Sequence, residues 1–202
     1  MSKNALIIFT RNPELGKCKT RLAKTIGDKN ALDVYKYLLQ HTADVSLKID
    51  ISRYVFYSET ISEKDIWETK HFNKKLQKGD DLGQRMQNAF EALFRLNYDK
   101  VIIIGSDLLD LNESIIENAF NALDHSDVAI GPAKDGGYYL LGMKKLHPKV
   151  FNIKAWGTET VYKQTISKLN HNSVYVLETL NDIDYVEDLK PYKVFQKYFK
   201  KN

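Results

Sequence analysis

Val101-Ile102-Ile103-Ile104-Gly105-Ser106-Asp107 sets four β-branched residues in a row directly before glycine, serine and a carboxylate. A run without an alternating polar face reads as a strand buried on both sides, as in a parallel sheet covered by helices. Such a strand delivers Asp107 to the carboxyl edge of the sheet, where open α/β folds bind their ligands. A carboxylate there is a candidate metal ligand or base, and a helix cap or turn would use the same residue.

Outward from this strand, the chain alternates strand and helix signals. Ala5 to Phe9 reads as a first strand, opening into a loop punctuated by Pro13 and Gly16. A helical pattern covers about Asn30 to Leu47, and Ile51 to Tyr57 alternates like a strand. The polar stretch Glu63 to Thr69 reads as helical, and Lys75-Leu76-Gln77 as a short strand. Met86, Ala89, Phe90, Leu93 and Phe94 recur at helical spacing within Leu82 to Leu96. After the central strand, Asn112 to Leu123 is a helix with Asn112 as its cap, and Val128 to Ile130 is a strand. Asp135-Gly136-Gly137 is a turn, and Tyr138 to Met143 is a strand. A helix over Thr158 to Leu169, a strand over Val174 to Leu177 and a helical end from Tyr185 to Phe199, broken at Pro191, complete the pattern. The fold class is therefore α/β, with βαβ units around a mainly parallel sheet flanked by helices. One domain over residues 1–202 is expected.

Hydrophobic residues make up 43% and charged residues 28%, a globular balance that excludes a disordered or fibrous chain. No apolar run approaches the roughly 20 residues that span a bilayer, so a cytoplasmic protein with no membrane partner is expected. The lone cysteine, Cys18, fits a reducing compartment. A net charge of +4 does not call for nucleic acid as a partner. The pattern leaves the oligomeric state open, and the basic end Lys197 to Lys201 reads as a solvated helix end.

Arg11, Lys17, Lys19 and Arg21 crowd the loop after the first strand, with Gly16 open to close backbone approach and Thr20 placed as an N-cap. Cations beside a helix start make an anion site suited to phosphate, although a solvated basic helix start would show the same charges. The loop is neither a Walker A motif nor a dinucleotide fingerprint, because Arg11 and Cys18 stand where glycine and a hydroxyl residue would be required. Cys18 has no histidine near it in sequence, and the five histidines lack metal-ligand spacing. Asp107, Asp135 and Asp184 follow separate strands and could converge on one divalent cation, Mg²⁺ or Mn²⁺. A hairpin turn for Asp135, and helix capping for Asp182 or Asp184, are the bland alternatives.

Five segments occur in an order that resembles the DUF2064 family. They are Arg11 to Leu22, Gly79-Asp80-Asp81-Leu82-Gly83-Gln84-Arg85-Met86, Gly105-Ser106-Asp107, Gly131 to Gly142 and Asp182-Ile183-Asp184. That family belongs to the GT-A-like nucleotide-diphospho-sugar transferase superfamily, some members being labelled glycosyltransferases of arsenosugar biosynthesis. The resemblance implies a Rossmann-like GT-A sandwich in which Arg11, Gly16, Lys17 and Thr20, with Leu82, Gly83 and Arg85, hold the nucleotide. It implies Asp107 as a metal-binding carboxylate, with Asp184 as a second. Leu109 departs from the proline that members often carry after Gly-Ser-Asp, and Ser106 leaves no strict Asp-x-Asp.

The expected activity is transfer of a sugar from a nucleotide-diphosphate donor to a small-molecule acceptor. Lys17, Lys19 and Arg21 would neutralise the diphosphate, Mg or Mn on Asp107 would stabilise the leaving group, and Asp135 would act on the acceptor hydroxyl. Trp156 would stack on a sugar or acceptor, or pack in the core. The alternative is nucleotidyl transfer from an NTP to a phosphorylated small molecule, and a third reading is a catalytically degenerate nucleotide-binding protein.

Overall fold

The buried run at 101–104 becomes the middle of a seven-stranded sheet in the computed structural model, which describes residues 3–199. In chain order the elements are β1 (Asn4–Thr10), α1 (Thr20–Ile26), α2 (Asp28–Leu47), β2 (Ser52–Tyr57), β3 (Asn73–Leu76) and α3 (Leu82–Phe94). There follow β4 (Lys100–Ile104), α4 (Glu113–Ala122), β5 (Val128–Pro132), β6 (Tyr138–Met143), α5 (Val161–Ser167), β7 (Val174–Val176) and α6 (Val186–Leu189). Short 3-10 turns lie at Pro148–Phe151 and Lys193–Tyr198.

The strand order is β3-β2-β1-β4-β6-β5-β7, and every pairing is parallel except those of β6, which runs antiparallel to both β4 and β5. Every residue of β4 is buried. Val101 and Ile103 face a layer with Ala5, Ile7, Met86 and Phe90, while Ile102 and Ile104 face Leu6, Ile8, Tyr35 and Ile116. Helices cover both faces, which is why the run shows no polar alternation; each such side chain removed from water contributes about 2 kcal/mol.

From β1 the chain winds outward through β2 and β3, then returns to place β4 on the other side of β1. The loops leaving β1 and β4 therefore diverge at a topological switch point, where side chains from two loops can face one cleft. Because β6 is antiparallel, the Ala133–Gly137 turn that precedes it also lies at this edge. Asp135 is thus in a hairpin turn and at the ligand-binding edge of the sheet at once.

The structure departs from the sequence pattern at several places. Residues 63–69 form no helix. Asp65 instead accepts the Trp67 backbone N–H (3.0 Å) and the Lys74 ammonium (2.8 Å) on one oxygen and the Tyr57 hydroxyl (2.6 Å) on the other. Trp67 is buried edge-on to Phe72, so tertiary contacts override the local helical preference. The helix expected from Thr158 is shorter, because the preceding residues pack on the Gly136 turn, with Tyr162 N–H donating to Gly136 O (2.9 Å). Thr20 is the first residue of α1 and not its cap; Lys19 holds the cap position in the left-handed conformation, φ 49°. Tyr185 to Phe199 divides at Pro191 into α6 and a 3-10 turn. Of the basic end, Lys200 and Lys201 lie outside the described residues.

Candidate functional site

Lys19 is where the two diverging loops meet. Its ammonium donates to Asp107 Oδ2 and to Asp184 Oδ1, both at 2.9 Å, and its side chain is only 6% exposed. Arg21 adds a bond from Nη1 to Asp184 Oδ2 (3.1 Å), so both oxygens of Asp184 are engaged by cations. Burial works against the Lys19 charge, but the two carboxylates outweigh it and hold the ammonium above the ordinary lysine range. Burial likewise opposes the Asp184 charge, and Lys19 and Arg21 win, holding its carboxyl below the usual value.

The bland alternatives for these carboxylates are resolved by who does the capping. Asn112 caps α4, accepting from Ile115 N–H (3.1 Å), which leaves Asp107 out of that role. At the other end Asp188 Oδ2 accepts the backbone N–H groups of Asp184 (3.0 Å) and Tyr185 (2.7 Å), and Asn181 Nδ2 donates to Asp188 Oδ1 (2.9 Å). Asp182 and Asp184 are thereby held as the two carboxylates of an extended Asp-Ile-Asp segment whose Ile183 is buried in a third core cluster. Leu109 packs partly into the same cluster, Ile183 N–H donates to Asp107 O (3.2 Å), and the Tyr192 hydroxyl donates to Asp110 (2.7 Å). The C-terminal segment therefore holds the Gly-Ser-Asp loop in place with leucine at 109.

Asp107 also lines a cavity of about 240 Å³, whose walls include Leu82, Met86, Tyr138 and Trp156 and whose polar side carries Asp107, Asp135 and Asp182. Asp182 is the site residue that reading by motif undervalued. Burial, and then the negative charges of Asp135, Asp107 and Asp184, push its carboxyl up to about 6. The signal for it was in the sequence: an apolar residue between two carboxylates, with a strand-like period of two. Tyr35 was also missed. Its buried hydroxyl takes the Arg11 backbone N–H (3.0 Å) and approaches Thr10 Oγ1 (3.4 Å) and Ser106 Oγ (3.5 Å), bridging the ends of β1 and β4 from α2.

The remaining expected residues divide in two. Asp135 lines the cavity, with Oδ1 accepting Gly137 N–H (2.8 Å), and Leu82 is exposed on the cavity wall. Gly83 is buried against the Phe151 carbonyl, and an added Cβ would lie 2.8 Å from Trp156 Nε1, so its missing side chain seats the indole. Arg85 Nε donates to Gly79 O (3.0 Å), closing the loop ahead of α3. Arg11, Gly16 and Thr20 are exposed, and Lys17 pairs with Glu14 (2.6 Å) in solvent, away from the Lys19 centre. Cys18 is buried, its thiol pushed up by that burial and donating to Asn12 O (3.2 Å), which removes it as a nucleophile.

Against known proteins, residues 41–158 match the family described as an uncharacterized protein conserved in bacteria (DUF2064). The chain belongs to the DUF2064 family. The match contains the Gly-Asp-Asp-Leu-Gly, Gly-Ser-Asp and Asp-Gly-Gly segments, and Lys19 and Asp184 lie outside it. This DUF2064 chain is 34% identical to a protein of Desulfovibrio desulfuricans G20 that carries the provisional name nucleotide-diphospho-sugar transferase. Their TM-score is 0.90, covering 97% of this chain and 89% of that one. A 4-diphosphocytidyl-2C-methyl-D-erythritol synthase from Anaerococcus prevotii, 12% identical with a TM-score of 0.62, covers 97% of this chain and 96% of its own and shares the fold. The 2-phospho-L-lactate guanylyltransferase of Methanocaldococcus vulcanius is 26% identical over 143 residues, 69% of this chain. The chain spans 61% of the length of that curated relative. The fold is that of the nucleotide-diphospho-sugar transferases, and by name two of these relatives are transferases, one of nucleotide-diphospho-sugars and one a guanylyltransferase. Among the described residues no helix is long and apolar enough to cross a membrane.

Proposed function

We propose that this protein is a nucleotidyltransferase that joins an NTP to a phosphorylated small molecule. The observation that carries the reading is the Lys19 centre, where Lys19 of the β1–α1 loop and Arg21 of α1 meet Asp107, after β4, and Asp184, ahead of α6, beside a cavity. Phosphate chains are recognised by such charge-assisted donors held in place before substrate arrives. The likeness to a guanylyltransferase supports nucleotidyl transfer, and makes GTP the first nucleotide to test. In the reaction an oxygen of the acceptor phosphate attacks the α-phosphorus of the NTP. The bond from that phosphorus to the bridging oxygen breaks, and pyrophosphate leaves with the bond's electron pair. Lys19 and Arg21 neutralise the phosphate oxygens, Asp184 orients both cations, and Asp135 orients the acceptor.

Mg²⁺ or Mn²⁺ belongs to this reading. Among the described residues no three His, Cys, Asp or Glu side chains form a ready metal cage. A two-carboxylate site completed by substrate phosphates needs no such cage. The donor chemistry suits it: burial first, and then the neighbouring carboxylates Asp135, Asp107 and Asp184, raise the Asp182 carboxyl to about 6, so a cation placed among them would relieve the crowding of negative charge. Asp107 and Asp182 would hold the ion, with Asp184 left on Lys19 and Arg21. Bound there, the ion would offset charge on the leaving phosphates.

The test is pyrophosphate release from GTP, ATP, CTP and UTP with 2-phospho-L-lactate or phenyl phosphate as acceptor, with Mg²⁺, Mn²⁺ or chelator. Metal-dependent release with one NTP supports the reading, and Asp107→Asn abolishes it. Sugar transfer is the second reading, favoured by the name of the Desulfovibrio desulfuricans relative. Nucleoside diphosphate released from a nucleotide-sugar, without pyrophosphate from any NTP, would establish it instead. Nucleotide binding without turnover of either kind would leave a degenerate binding protein.

A further inference from the structure

We infer that the cavity beside Asp107 takes the body of the acceptor, and that this body is uncharged with an apolar face, unlike the carboxylate-bearing acceptor named for the guanylyltransferase relative. The inference rests on the nucleotidyl reading above and deepens it. Lys19 and Arg21 are not among the residues that line the cavity, which meets the cationic cluster through Asp107. Among its described lining residues there is no Lys, Arg or His, and its charged groups are Asp107, Asp135 and Asp182. With the ion on Asp107 and Asp182, Asp135 keeps its charge, and an anion carried on the acceptor body would meet that carboxylate with no cationic side chain in the wall to pair with, an arrangement that rejects like charge.

The rest of the wall is built for an apolar face. Tyr138 and Trp156 meet edge to face, centroids 6.4 Å apart at 81°, and form a corner with Leu82 and Met86. The corner is held from behind. Gly83 leaves room for the indole, and the Tyr138 hydroxyl is turned toward Met86 Sδ (3.8 Å). Thr158 Oγ1, the wall's neutral hydroxyl outside the tyrosines, donates to Ala155 O (3.0 Å). The cavity therefore suits a ring or branched alkyl group whose single phosphate reaches out toward Asp107 and Lys19.

The experiment titrates phenyl phosphate, 4-carboxyphenyl phosphate and 2-phospho-L-lactate into the full-length protein with Mg²⁺ by calorimetry, with pyrophosphate release from GTP measured in parallel. Phenyl phosphate should bind at least about tenfold tighter than either carboxylate-bearing compound, as expected when a site rejects like charge. Trp156→Ala should weaken phenyl phosphate by about tenfold, with Trp156→Phe losing less, as expected for an aromatic contact. If Trp156→Ala does not fold, the parent's tryptophan fluorescence replaces it and must change on binding phenyl phosphate. Equal or tighter binding of the carboxylated compounds, no binding of phenyl phosphate, indifference to Trp156, or displacement of phenyl phosphate by guanosine would overturn the inference. The two proposals fail separately. A preference for phenyl phosphate without pyrophosphate from any NTP keeps the cavity assignment and removes nucleotidyl transfer, whereas pyrophosphate release without that preference does the reverse.

Discussion

Lys19, in the loop after β1, and Lys74, in β3, each have a side chain only 6% exposed, and each is bonded to aspartate. Lys74 sits in a closed account of charge and hydrogen bonds. Its ammonium donates to Ser62 O (2.7 Å) and Asp65 Oδ1 (2.8 Å), and the Tyr57 hydroxyl and Trp67 N–H take up the rest of Asp65. One positive charge meets one negative charge, and the result is a pinned loop. Lys19 instead stands with Arg21 against Asp107 and Asp184, and Asp182 feels both of these and Asp135, so four carboxylates meet two cations and a cavity adjoins them. Burial with a balanced partner makes structure, while burial with an unbalanced set leaves affinity for something not yet bound.

The comparison breaks most visibly at Lys19. Lys19→Met should lower kcat/KM for pyrophosphate release about 10³-fold, the scale for losing one preorganised donor at a reacting phosphate. Steady-state kinetics checks this, and a variant as active as the parent would deny Lys19 its role. Lys74→Met should act on stability, costing about 3 kcal/mol because Asp65 is left buried without its cation. Urea unfolding measures that loss, and kcat should fall far less than in the Lys19 variant. Were Lys74→Met to abolish turnover while Lys19→Met spared it, the division between the two would be inverted.

Smaller effects sharpen the boundary of the site. Gly83→Ala should cost about 2 kcal/mol, since the new methyl collides with the Phe151 carbonyl and the Trp156 indole. A red shift of tryptophan emission should accompany the loss as the indole leaves its seat. Asp182→Asn tests the excess of negative charge directly. A carboxyl raised to about 6 in the folded state contributes stability below its unfolded value and loses it as pH rises through about 6. The asparagine variant escapes that loss. In chelator its unfolding free energy should match the parent near about pH 4 and exceed it above about pH 7, by on the order of 1 kcal/mol once solvent screening of this partly exposed group is allowed for, with Tm following in the same direction. Equal Tm at both ends would show that Asp182 does not feel its neighbours.

Much of the site was legible because strand ends are legible. Val101 to Ile104 announced a buried strand, so Asp107 could be placed at the ligand edge, and Asn112 was recognisable as the cap of α4. The basic loop was visible as a cluster, but its members looked alike: nothing local distinguishes Lys17, which pairs with Glu14 in solvent, from Lys19, which is buried between Asp107 and Asp184. That difference depends on partners 88 and 165 residues away. Gly83 shows the same limit. Its place in Leu-Gly-Gln-Arg resembled a nucleotide contact, and its neighbours in space are Phe151 and Trp156. The stretch 63–69 carried a helical preference that Asp65 overruled by bonding to groups from β2 and β3.

Legible along the chain is the periodic part of the protein: a mainly parallel sheet with helices on both faces, because burial on one or two faces writes itself into every second or every third and fourth residue. Packing in three dimensions settles which charges pair, which glycine makes room for an aromatic ring, and which side chains share a cavity with Asp107. Those outcomes depend on Coulomb forces and packing that act over a few ångströms in space without regard to separation along the chain.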